Sequence, residues 1–206
     1  MRWILPILIT GAVYAQGTKP KQHASEYPVH AMAGQVEVGA EFTVHSFSRG
    51  EASYLAPDYL VVDVALYPPK NGALEIDPRE FELRINGHKP ELLPQPPTMV
   101  ATSLMHPEWR PGAQVDASMG PIGIDLGQPR QPTNPNPSGS PVPPPGYHDR
   151  VPPAQPRPEE LVVQTALPTG SHIDAVSGYL YFAYSGRLKS IKTLELLYQG
   201  AVLRLR

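Results

Sequence analysis

The sequence predicts an all-β protein, an antiparallel β-sandwich with a long disordered proline-rich insertion. Three observations predict it. Short segments across most of the chain alternate apolar and polar residues with period two, the pattern of half-buried strands. Turn dipeptides separate these segments, and hardly any stretch carries a helical period. Residues 128–158 hold twelve of the 27 prolines and almost no apolar side chain except Val142, Tyr147 and Val151. Such a stretch buries too little surface to offset its ordering entropy, and it samples extended polyproline II conformations.

The chain has 206 residues, a length that favours one domain. At the N-terminus, Arg2 precedes a short apolar run from Trp3 to Val13, broken by Pro6 and Gly11. Val13-Tyr14-Ala15 then offers compact residues before a cleavage point. This is the pattern of a secretory signal peptide over residues 1–15. The competing readings are a buried strand and a membrane anchor, but the run falls well short of the ~20 apolar residues of a spanning helix. No later stretch reaches that length either. The mature chain is therefore expected without a transmembrane anchor, in the periplasm or outside the cell.

There is no cysteine. This rules out disulfides, thiolate nucleophiles, cysteine-ligated metal and the acylated cysteine of a lipoprotein. An exported chain of this kind holds itself by burial alone, and a domain of ~150 residues buries about two-thirds of its unfolded surface. The formal net charge is −2. With no basic stripe, nucleic acid is excluded as a partner.

Residues 16–34 are polar and without period and read as a flexible N-terminus. The first strand follows, with Val36, Val38, Ala40, Phe42 and Val44 on one face and Glu37, Glu41 and Thr43 on the other. Tyr59 to Tyr67 is the next, with Leu60, Val62, Val64 and Leu66 together and Asp63 opposite. Pro68-Pro69 ends it, because proline cannot donate to a ladder, and Lys70-Asn71-Gly72 is turn chemistry. Arg79 to Asn86 alternates again through Phe81, Leu83 and Ile85. Asn86-Gly87 tolerates positive φ at both central positions of a type I′ turn and predicts a tight hairpin, with His88 to Leu93 as the return strand. Val100 to Met105 and Ile122 to Leu126 read as short strands.

After the insertion, Glu159 to Leu167 is a short apolar element, helix or strand. Gly178 to Ser185 is apolar or aromatic on both faces, as expected of a strand covered on both sides. Thr193 to Tyr198 and Ala201 to Arg206 flank Gln199-Gly200 and predict a C-terminal hairpin, with Leu194, Leu196 and Tyr198 opposite Leu203 and Leu205.

Residues 35–206 are read as a single domain interrupted at 128–158. The 48 residues after Pro158 cannot cover a strand that is apolar on both faces. The N-terminal block likewise lacks a clean final strand. Closing a ~30-residue loop is tolerable, since each doubling of length costs only about 0.6 kcal/mol.

Four segments carry a family resemblance. They are Tyr59-Leu60-Val61-Val62-Asp63-Val64, Asp77-Pro78-Arg79-Glu80-Phe81-Glu82-Leu83, Ser177-Gly178-Tyr179-Leu180-Tyr181-Phe182 and Ile191-Lys192-Thr193-Leu194-Glu195-Leu196-Leu197-Tyr198. In order and character they resemble the exported immunoglobulin-like β-sandwich domains of bacterial antigens and lipoproteins, most of unknown function. The resemblance implies an immunoglobulin-like sandwich and export. Its motifs are structural and transfer no catalytic residue. The proline-rich insertion departs from that group.

Chemistry-bearing residues are scattered. His23, His30, His45, His88, His106, His148 and His172 show no ligand spacing. Met105-His106, with Met99 and Met119 nearby, is the one candidate metal site, since thioether and imidazole suit Cu(I). Ordinary packing methionines in a loop are the competing reading. Gly170-Ser171-His172-Ile173-Asp174 contains triad residue types, but five consecutive residues cannot converge as a triad does. Glu159-Glu160 reads as a solvated helix start rather than a glycosidase pair, whose carboxylates face each other across the substrate.

Two features suit binding. Tyr179, Tyr181 and Tyr184, with Tyr54 and Tyr59, form either an exposed recognition stripe or core packing with hydroxyls at the rim. Arg187 and Lys189, with Lys192, make a small basic turn. Pro129 to Pro132 and Pro141 to Pro144 have PxxP spacing, which chance also produces in so proline-rich a stretch. The expectation is an exported, non-catalytic binding or scaffolding module with no cofactor, its partner another envelope protein. Its binding residues would be Tyr179, Tyr181, Tyr184, Arg187 and Lys189. The alternative is a periplasmic small-ligand or copper carrier using Met105 and His106.

Overall fold

The period-two segments build two antiparallel sheets that face each other across a dry interior. The computed structural model describes residues 17–70, 72–106 and 156–206, which belong to one compact unit. The expected signal peptide, Ile122 to Leu126, Met119 and nearly all of the proline-rich stretch lie outside the described residues.

In chain order the strands are β1 (Val29–Ala33), β2 (Val36–Val44), β3 (Ser46–Arg49), β4 (Ala52–Leu55), β5 (Tyr59–Tyr67), β6 (Leu74–Ile76), β7 (Phe81–Ile85), β8 (Gly170–His172), β9 (Val176–Ala183), β10 (Leu194–Tyr198) and β11 (Ala201–Arg204). Two helices, α1 (Pro97–Met105) and α2 (Pro158–Thr165), stand between β7 and β8. The first sheet has the order β1-β2-β5-β9 and the second β11-β10-β7. β3 with β4 and β6 with β8 form short two-stranded ribbons. Strands from either side of residues 107–155 share both main sheets. β5 pairs with β9 from Tyr59↔Ala183 to Leu66↔Val176, and β7 pairs with β10 through Leu83↔Leu196.

Alternation sorts the side chains. Leu60, Val62, Val64 and Leu66 of β5 join Val38 and Ala40 of β2 and Leu180 and Phe182 of β9 on the inner face. Across from them stand Phe81, Leu83, Leu194, Leu196, Tyr198 and Leu203 of the second sheet. Phe81 and Tyr198 stack with ring centroids 4.2 Å apart. The outer face of the first sheet is covered as well. Tyr59, Val61, Tyr179 and Tyr181 pack there against Phe47, Ala56, Val100, Leu161 and Val162. That second layer is why β9 is apolar on both sides.

Both hairpin turns have the expected geometry. Asn86 and Gly87 sit at φ 53° and 70°, and the His88 N–H donates to the Ile85 carbonyl at 2.9 Å. Gln199 and Gly200 sit at φ 43° and 83°, and Leu196 pairs with Leu203.

Four elements differ from the sequence reading. Residues 88–93 do not form a full return strand. Leu83 and Leu92 exchange two backbone hydrogen bonds of 2.9 Å, but Pro90 and Pro94 flank that bridge without donors. Val100 to Met105 is the last two-thirds of α1 rather than a strand. Pro97 starts this helix, where its missing N–H costs nothing, and it buries Val100 and Ala101. The segment before β2 is ordered. It carries β1, paired from Val29↔Ala40 to Ala33↔Val36, and a 3-10 turn over Ala24–Glu26. The β3–β4 hairpin was not anticipated; it drives Phe47 into the outer core layer. Glu159 to Leu167, whose sequence fits helix or strand, is mainly α2.

Candidate functional site

The residues singled out from the sequence separate into an interior group and a surface group. Tyr179 and Tyr181 are 6% and 1% exposed, so they form no exposed recognition stripe. The reason is the roof of α1, α2 and the β3–β4 hairpin over the outer sheet face. The Tyr179 hydroxyl meets the Ser48 N–H at 3.1 Å and the Ser48 Oγ at 3.0 Å. Burial pushes the Tyr181 phenol well above its ordinary range, and its hydroxyl finds no hydrogen-bond partner among the described residues. Tyr184 is half-buried; its hydroxyl donates to the Arg187 carbonyl at 3.3 Å and lies 3.2 Å from Ser190 Oγ. Arg187 and Lys189 are exposed on the turn that follows β9.

Met105 is half exposed at the end of α1. His106 caps that helix, its N–H donating to the Thr102 carbonyl at 2.9 Å. Among the described residues no group of three or more His, Cys, Asp or Glu side chains is placed to hold a metal ion. Glu159 and Glu160 lie in the first turn of α2, 3.9 and 3.7 Å from the Arg157 guanidinium. Ser171 and His172 sit on β8, where His172 Nε2 lies 3.3 Å from the Thr169 carbonyl.

The structure assembles two further features. One is a polar cluster on the outer face of the first sheet. In the antiparallel register Glu41 of β2 stands opposite Asp63 of β5, and Asp63 opposite Tyr179 of β9. Two like charges facing each other across a strand pair repel. The segment ahead of β1 brings the compensating groups. Thr18 Oγ1 lies 2.7 Å from Ser177 Oγ and donates to Asp63 at 3.5 Å. Lys21 Nζ reaches Glu41 at 3.2 Å and stands 4.3 Å from the centre of the Tyr27 ring. The Tyr67 hydroxyl donates to the Lys21 carbonyl at 2.9 Å.

Burial raises the Asp63 carboxyl, and the Glu41 charge raises it further. Lys21 and Thr18 pull it back in part, leaving it at about 7. This carboxyl exchanges its proton near neutrality.

The second feature is the helix pair. α1 and α2 pack on each other, and an open groove along them is lined by Ala101, Met105 and Val163 with Arg157, Glu160 and Gln164. A partly open pocket of about 210 Å³ is lined by Pro97 and Thr98 of α1 and Val163 of α2 with Pro78, Pro94, Leu167, Tyr179 and Leu180 among others.

The sequence reading missed Thr18, Lys21 and the pairing of Glu41 with Asp63. One signal was present: Asp63 is the single charge in the run from Tyr59 to Tyr67. No protein-family model, no curated protein and no solved structure matches this chain.

Proposed function

We propose that this chain is an exported, non-catalytic binding or scaffolding module of the bacterial cell envelope. The observation that carries this reading is the placement of α1 and α2, the described elements on either side of residues 107–155 in the sequence: they pack against each other on a sheet that is backed by a second sheet. In this reading the proline-rich sequence between them supplies a contact segment, because polyproline conformations lose little entropy on docking. Met99 and Met105 are exposed on α1, and methionine is an adaptable contact residue. The contact face in this reading is the helix pair with its attached segment, together with Arg187 and Lys189 as a separate basic turn.

The test compares the purified mature chain with one in which residues 107–155 are replaced by a short Gly-Ser linker. Both are immobilised and presented with solubilised envelope proteins. The expected result is one identified protein that rebinds saturably when purified and binds the shortened chain at least about tenfold more weakly. If nothing rebinds the full chain saturably, the reading fails.

The partly open pocket beside the helices favours a second reading, a small-ligand carrier. Its apolar lining suits a compact apolar ligand. Copper held by Met105 and His106 is the metal version of this alternative. Titration of the purified chain with Cu(I) and with small apolar probes, read by thermal shift, separates the carrier from the module. A stoichiometric copper lost in His106→Ala would favour the carrier.

A further inference from the structure

Residues 17–27 cross the outer face of the first sheet, over the half that the helices leave free. Gly17 is tied to α2, its N–H donating to the Gln164 carbonyl at 2.8 Å. Thr18 is tied to β9, its N–H donating to the Ser177 carbonyl at 2.8 Å. Lys21 is tied to β2 through Glu41 and to β5 through the Tyr67 hydroxyl. Tyr27 then packs over Gly39. Beneath this strap lies Asp63, largely shielded from water.

We propose that residues 17–27 are a latch, closed on Asp63 while that carboxyl holds its proton and loosened when the proton leaves.

Few charges share the space beneath the strap. From the strap, Lys21 contributes one ammonium and Tyr27 a neutral phenol. Glu26 stays at the margin, its carboxylate accepting the His23 N–H at 3.0 Å. From β2 comes Glu41, from β5 Asp63 itself and the Tyr67 phenol, and from β9 the Ser177 hydroxyl with the Tyr179 and Tyr181 phenols. Lys21 is already paired with Glu41 at 3.2 Å. An ionised Asp63 is therefore a second negative charge sharing one ammonium under a covered surface. Burying an under-compensated carboxylate is costly. A protonated Asp63 removes that charge and keeps hydrogen-bonding capacity toward Thr18.

The direction follows from linkage. The closed state holds the carboxyl near 7 against an ordinary 3.8, so the closed state binds the proton more tightly than a state open to water. Acid therefore favours closure. Opening gains as pH rises toward 7 and levels off above it. When the strap lifts, Glu41 stays beside Asp63 while Lys21 and Thr18, which favour the ionised form, leave with the strap, so the open carboxyl also stays raised and only the returning water lowers it. This reduces the expected effect to about tenfold, one pH unit of difference between the two states.

The test is hydrogen exchange of residues 17–27 in the full chain at about pH 5.5 and about pH 8.5, corrected for intrinsic rates. Protection of this segment is expected to fall about tenfold at the higher pH, while β5 and β9 amides stay unchanged. Asp63→Asn keeps the hydrogen bond to Thr18 and is expected to give the same protection at both pH values. No pH change in the parent chain, or an undiminished change in the variant, overturns the latch. Should the variant fail to fold, the side-chain carboxyl carbon of Asp63 is titrated by NMR in the parent chain. A midpoint near neutrality that coincides with shifts of the Thr18 and Lys21 amides supports the proposal. A midpoint in the ordinary carboxylate range overturns it.

Discussion

Tyr27 occupies the space above Gly39. A β-carbon on that glycine would stand 2.5 Å from the ring Cδ2 and 3.1 Å from the Tyr27 Cβ. The clash reaches the root of the tyrosine, so rotating the ring does not relieve it. Gly39 is also in the register position opposite His30 of β1 and Ala65 of β5, and β2 itself has no reason to reject alanine there. Gly39→Ala is therefore expected to lift the strap while leaving the sheet intact. Overpacking of this kind costs about 1–3 kcal/mol. Hydrogen exchange would show residues 17–27 losing protection while β2 and β5 keep theirs. A uniform loss across the first sheet would contradict this account.

Gly178 meets a harder obstacle. A β-carbon there would come within 2.5 Å of the Leu167 backbone nitrogen and Cα and 2.6 Å of the Ala166 carbonyl carbon. The chain leaving α2 runs directly against β9, with the Leu167 N–H donating to the Tyr179 carbonyl at 3.1 Å. Backbone cannot swing aside as a side chain can. Gly178→Ala is expected to cost more than about 3 kcal/mol or to prevent folding. Gly34→Ala is the control. It has open space around it and φ 61°, so it should cost only about 1–2 kcal/mol of backbone strain. Urea unfolding of the two variants checks the order, and equal losses would contradict it.

These glycines show where sequence reasoning reached and where it stopped. Strands β2, β5, β7, β10 and β11 were legible because each face of a strand repeats at every second residue, and β9 because its run is apolar on both faces. Asn86-Gly87 and Gln199-Gly200 were legible because positive φ is written in residue type. α1 was misread because Val100, Ala101 and Leu104 form too short a run to separate helix from strand by period alone. β1 was hidden for a different reason. Val29, Ala31 and Ala33 face inward, but Met32 on the other face blurs the apolar–polar alternation in the sequence, and Gly34 is the one turn signal before β2. The tyrosines of β9 were legible as side chains of a strand covered on both sides, but not which element covers the outer one. Only the return of α2 across the sheet decides that, and this is a long-range event. Likewise Glu41 and Asp63 were each visible, while their opposition depends on the β2–β5 register.

Tyr198 carries a buried hydroxyl without a hydrogen-bond partner among the described residues. Its ring is needed, stacked on Phe81, but the oxygen is not. Phe81→Ala is expected to lose about 3–5 kcal/mol. Tyr198→Phe is expected to be neutral or to stabilise by up to about 1 kcal/mol. The pH profile gives a second reading. Burial, helped by the Glu80 charge, pushes the Tyr198 phenol up to about 12 from an ordinary 10.0. The folded state thus keeps the phenol protonated where the unfolded chain releases it. That contribution to stability is complete below pH 10 and is lost as pH climbs toward 12. Tyr198→Phe should blunt the alkaline loss of stability over that window. A variant with an unchanged alkaline limb would show that this phenol does not govern it.

The buried core draws on both sides of residues 107–155: Val62, Val64 and Phe81 come before that stretch, and Leu180, Phe182 and Leu196 after it. The β5–β9 and β7–β10 ladders likewise join the two sides. Neither fragment has a complete sheet of its own, since the C-terminal part keeps only β9 for the first sheet and β10 with β11 for the second. A single proteolytic cut within 107–155 is therefore expected to leave both pieces in one folded complex. They should coelute in native size exclusion and separate only in denaturant. The cut does convert one chain into two, so unfolding becomes concentration-dependent. Shortening the stretch to about twelve residues without cutting should raise stability by only about 1 kcal/mol, the loop-closure difference of two halvings. Fragments that part under native conditions and remain folded would break the shared interior on which both sheets depend.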